Sequence, residues 1–69
     1  MTGAFWALRR PTPRVPFVAD SAHADYEAAE ARTLELERAG QNTAIAHDAS
    51  LTDAKRATYE AQVAGREPP

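Results

Sequence analysis

Residues 1–20, MTGAFWALRRPTPRVPFVAD, decide how this chain is read. They hold Phe5, Trp6, Leu8, Val15, Phe17 and Val18 among three prolines and three arginines, while the remainder is mostly alanine and charge. Pro11, Pro13 and Pro16 each fix φ, remove a backbone donor and push the preceding residue toward extended conformations. Residues 10–17 therefore read as extended or polyproline-like, neither helix nor inner strand. Residues 4–9 are too few to hold a helical turn without a surface to lie on. The reading that follows is an extended docking arm over residues 1–19.

Composition supports the division. The chain has 69 residues and 43% hydrophobic content, but 16 of the apolar residues are alanine. Of the 14 larger ones, seven fall in residues 1–18, so the rest of the chain has little with which to build a core. Charge divides in the same place. Residues 1–19 carry Arg9, Arg10 and Arg14 and no acid; residues 20–69 carry five basic and ten acidic residues, for the overall −2. A basic, aromatic arm on an acidic body is a pattern found in interaction tails. There is no cysteine, which removes disulfides and thiolate metal sites.

The pattern changes at Asp20-Ser21, either of which can cap a helix, with Asp25, Glu27 and Glu30 early in the segment where the dipole favours acids. Ala22 to Ala39 has no proline or glycine, and Gly40 sits where a left-handed cap would end a helix. Tyr26 and Leu36 belong to a narrow seam, whereas Leu34 lies about 200° around from Leu36, so the large apolar groups do not share one stripe. Residues 40–50 read as a connector. Ser50 and Asp53 resemble a capping box for a second helix that Gly65 closes, with Leu51, Tyr59 and Val63 on one side. The expected fold is all-α. A docking arm over 1–19 precedes a helical hairpin-like region over 20–65, with helices at about 21–39 and 51–64. A tail follows over 66–69. Tyr26, Leu34, Leu36, Leu51, Tyr59 and Val63 are the expected helix-packing residues.

Chemistry is sparse. His23 and His47 with Asp20, Asp25 or Asp48 could supply ligands to a divalent metal, but their spacing repeats no ligand motif and polar residues belong at a helix start in any case. Glu27, Glu30, Glu35 and Glu37 read as a solvated helix face rather than a desolvated acid–base pair. No phosphate loop, nucleophile elbow or cysteine nucleophile is present. No catalytic residue, metal site, cofactor or small-molecule substrate is therefore expected, and the chain reads as a non-enzyme.

Phe5, Trp6, Leu8, Arg9, Arg10, Arg14, Phe17 and Val18 are the expected partner-binding residues, since Trp, Phe and Arg are the side chains that interface hot spots use. The expected function is a small structural or accessory subunit of a larger assembly, docked through its arm on a neighbouring protein, with its helices packed on that neighbour or on copies of itself. Seven arginines to one lysine and abundant alanine suit a chain encoded by GC-rich DNA, and a phage virion or tail component fits that size and composition. The alternative is an antitoxin-like or nucleic-acid-binding regulator that dimerises through its helices. Three arginines make a small footprint for phosphates, and the acidic body would be repelled, which disfavours nucleic acid. A membrane is disfavoured too, because no apolar run approaches the ~20 residues that cross a bilayer and the start lacks the order of a secretory signal. The expected location is the cytoplasm or a virion.

Overall fold

A computed structural model of the chain describes residues 5–66. Its first element overturns the all-α reading. Phe5–Arg10 is a β-strand (β1), and Val18–His23 (β2) returns antiparallel beside it. Helix α1 covers Tyr26–Arg38, strand β3 covers Asn42–His47, and helix α2 covers Asp53–Arg66 after a single 3-10 turn at Asp48–Ser50. The sheet order is β2-β1-β3, antiparallel on both sides. The expected arm is thus the centre of the sheet and one of its edges. Pro11, Pro13 and Pro16 lie in the exposed hairpin loop between β1 and β2, where no ladder needs their missing donors.

Register explains why such small residues make strands. Trp6 lies between Ala22 of β2 and Ala46 of β3, and Leu8 between Ala19 and Ala44. The bulk on the central strand needs small neighbours on both sides if one helix is to cover it. That helix is α2: Trp6, Leu8, Ala19 and Tyr59 form the core, with Phe17, Ala44, Ala46, Leu51 and Val63 packed against it. The Trp6 and Tyr59 rings lie 5.6 Å apart, tilted by 54°.

Alternation sends Phe5, Ala7 and Arg9 to the other face of the sheet, under α1. There Ala7 and Ala29 are fully buried, with Thr33 and Leu36 nearly so. The two helices therefore pack on opposite faces of the sheet, and the expected helical hairpin does not form. Of its helix-packing residues, Leu36, Tyr59, Leu51 and Val63 are buried or half-buried against the sheet. Tyr26 and Leu34 are each 51% exposed.

Boundaries shift accordingly. Residues 21–23, read as the first turn of a helix, finish β2, and Asp25 caps α1 by accepting from the Ala28 N–H at 2.8 Å. Gly40, at φ +90°, closes α1: its N–H bonds the Glu37 carbonyl, and that of Gln41 bonds Leu36, the paired bonds of a Schellman end. The connector holds β3. Thr52, not Ser50, caps α2, with its hydroxyl accepting from the Lys55 N–H at 3.1 Å. Gly65 lies inside α2 rather than ending it. Apart from Arg66, the expected tail lies outside the described residues.

Candidate interaction site

Two carboxylates are held by specific partners, Asp20 inside the fold and Asp48 half-buried at the turn after β3. A β-bulge in β2 inserts Asp20 between Ala19, opposite Leu8, and Ser21, opposite Ala7. Its carboxylate is buried and accepts from Arg32 Nε at 2.7 Å and from the second Arg32 nitrogen at 3.2 Å. Arg9 lies 3.4 Å away, and the Ser21 hydroxyl donates at 3.0 Å. The hydrogen bond to Asp20 raises the Arg32 pKa above its ordinary value, with the neighbouring charges adding to it. The Ala19 N–H next to the bulge is taken by Gln62 Oε1 of α2 at 2.7 Å, so α2 secures the irregular strand.

Asp48 plays the matching part at the other end. It accepts from the Trp6 indole N–H at 3.0 Å and from Arg56 Nε at 3.0 Å. These bonds, the indole's first, hold its carboxyl below the usual carboxylate range. The turn after β3 is thereby tied to the central tryptophan and to α2.

Ser21 Oγ also lies 2.7 Å from His23 Nε2, which places serine, histidine and aspartate in one chain. Their order differs from a nucleophilic triad. Ser21 donates to Asp20, so the Nε2–H tautomer of His23 is the one that completes the chain by donating to Oγ, while Arg32 occupies the carboxylate. An imidazole donating to the hydroxyl is not poised to deprotonate it. This arrangement braces β2 against α1. Of the other weighed ligands, His47 lies tilted against Phe5 with ring centroids 4.5 Å apart, and Asp25 caps α1. No group of three or more His, Cys, Asp or Glu side chains that could hold a metal is found among the described residues.

The expected partner-binding residues separate. Trp6 and Leu8 are core, Phe5 lies edge-on to Tyr26 at 5.7 Å, and Val18 is half-buried in β2. Arg9 is tied to Asp20, and Arg10 lies 4.1 Å over the half-buried Phe17 ring. Arg14 remains on the exposed hairpin loop, beside Val15, which is 40% exposed.

The surface that does present apolar groups is elsewhere. Tyr26, Glu30, Thr33, Leu34 and Glu37 of α1 and Thr43, Ala44 and Ile45 of β3 line a groove of about 390 Å³ along the sheet edge. Tyr26 and Leu34 are its exposed large side chains. The Thr43 hydroxyl donates to Glu37 Oε2 at 2.6 Å and links helix to strand across it. The two edges of the sheet also differ. β2 carries the bulge and the inward carboxylate of Asp20, devices that discourage strand addition, whereas β3 reads NTAIAH and contains no Asp, Glu, Lys, Arg or Pro. Sequence reasoning missed this site because β3 was read as a connector. The available signal was Leu34, which the helical angle already set apart from Leu36.

No family model, curated protein or solved structure matches the chain.

Proposed function

We propose that this chain is a non-enzymatic accessory subunit of a larger protein assembly, docked through the groove between α1 and β3. The observation that carries the reading is the exposure of Tyr26 and Leu34 in one groove beside a strand edge without Asp, Glu, Lys or Arg. Apolar side chains gathered on a small surface, rather than scattered singly, are what interaction sites present. The docking element moves from the N-terminal segment, whose large side chains the fold uses internally, to this face. A virion or tail component of a phage with a GC-rich host is the assembly class that the size and composition fit, with the cytoplasm or a virion as location. No helix among the described residues is long and apolar enough to cross a membrane.

The nucleic-acid alternative is left a smaller footprint, since Arg9 is paired with Asp20 and Arg10 lies over Phe17, which leaves Arg14 on the exposed loop. Purification of the tagged full chain from its native source, as wild type, Leu34→Asp and Tyr26→Ala, tests the proposal. Both substitutions should abolish co-purification of the partner while leaving the far-UV circular dichroism unchanged, because both side chains are half exposed. Full retention of the partner by both would refute it.

A further inference from the structure

The groove is acidic as well as apolar. Glu30 and Glu37 line it, and no Lys or Arg does. The same chain carries a surface of opposite character at the tip of the β1–β2 hairpin. Residues 11–16, PTPRVP, are all exposed and hold Arg14, Val15 and three prolines without an acid. Among the described residues the exposed large hydrophobics are Val15, Tyr26 and Leu34, so two line the groove and the third stands on the tip. We propose that the occupant of the groove is the hairpin tip of a second copy of this chain. Val15 and the flanking prolines would lie on Tyr26 and Leu34, and Arg14 would face Glu30 and Glu37. The inference rests on the groove being a docking site and names its partner.

Three physical points favour this occupant. The charges are complementary, which steers encounter and sets register. The tip is pre-ordered: Val15 N–H bonds the Thr12 carbonyl at 3.4 Å, Arg14 N–H bonds Thr12 Oγ1 at 3.3 Å, and each proline fixes its φ. Little loop entropy is then lost on docking, as when proline-rich segments settle on aromatic grooves. The tip and the groove are also different surfaces of one molecule, so head-to-tail docking leaves a new tip and a new groove open with each added copy unless a ring closes. Two-fold pairing of β3 with β3 would instead bring two acidic grooves together. A tip of six residues would bury less than the ~1,200 Å² of a standard interface, so association should be weak and concentration-dependent.

Sedimentation velocity of the full chain, from roughly 10 μM to 1 mM where small interfaces associate, tests this at low and high salt. The expected result is an average mass that rises past the dimer with concentration and falls with salt. Arg14→Glu should make tip and groove both acidic, and Glu30→Lys should make the groove less acidic beside a basic tip. Each variant alone should associate about tenfold or more weakly than wild type. An equimolar mixture should recover association in part, because the Arg14 tip of the Glu30→Lys chain then meets the unchanged acidic groove of the Arg14→Glu chain. Both positions are exposed, and circular dichroism verifies that both variants fold. A wild-type chain that stays monomeric throughout overturns the self-docking proposal but not the groove, which the Leu34→Asp co-purification judges separately. A closed dimer indifferent to Arg14→Glu also overturns it and points to pairing of the β3 edges.

Discussion

Trp6→Phe probes the centre of the fold with one conservative change. Trp6 is 2% exposed, sits in the middle strand between Ala22 and Ala46, and packs on Tyr59. A phenyl ring lacks two of the indole's carbons and its nitrogen. At about 0.8 kcal/mol per buried carbon, transfer alone accounts for roughly 1.6 kcal/mol. The flanking alanines carry no side chain that could reach into the vacated space, so a cavity penalty adds to this and the total comes to about 2–3 kcal/mol. The indole N–H bond to Asp48 is lost as well, leaving that carboxylate to Arg56. For a domain of this size the change should lower the Tm by roughly 10–20 °C. Thermal melts followed by far-UV circular dichroism measure it without relying on the deleted fluorophore. A shift of only a degree or two would mean that Trp6 does not lie between sheet and helix. The placement of β1 would then be wrong.

Asp20→Ala removes the acceptor that holds Arg32, Arg9 and Ser21. Because the two arginine side chains are about a third exposed they can rehydrate, so the cost should be about 1–3 kcal/mol in urea denaturation rather than the larger penalty of a fully buried pair. Glu35→Ala, which removes an exposed partner 3.8 Å from Arg32, should stay within about 0.5 kcal/mol and serves as the control. Gly40→Ala meets no atom within 4 Å, so its cost is conformational only, about 1 kcal/mol for a side chain at φ +90°. Asp48 has a lowered pKa in the folded chain, so its stabilisation is complete above the unfolded carboxylate value of 3.8 and is lost as pH falls through the lower folded value. Asp48→Asn should flatten that part of the acid limb in a pH series of melts, and an unchanged limb would remove Asp48 from the account.

Much of α1 and its end was legible because helix propensity, acids in the first turn and a closing glycine act locally. The sheet was not, and particular residues say why. Phe5, Trp6, Ala7 and Leu8 run without a polar break because helices cover both faces of β1, so the alternation that marks a half-buried strand is missing. In β2, VADSAH has the low β-propensity of Ala, Asp and Ser. Its place is set by what it must leave room for, and by the bulge that aims Asp20 at Arg32. In β3 the alanines fit the same demand, and only Thr43 and Ile45 hint at a strand. The prolines pointed to an extended arm over 10–17, whereas residues 11–15 form the bends and turn of a hairpin loop and Arg10 already belongs to the central strand. For the interaction site, the position of Leu34 was readable from the helical angle, but the groove needs β3 beside it and so could not be seen before the sheet was known.

The central claim is that the N-terminal segment is the middle of a free-standing sheet, leaving the α1–β3 groove as the docking surface. Native-state amide hydrogen exchange on the dilute full chain tests it directly. A middle strand is bonded on both sides, so the amides of Phe5–Arg10 should be among the slowest to exchange, as slow as those at the centre of α1. Exchange of Phe5–Arg10 at the rate of an unstructured chain, with α1 still protected, would contradict it.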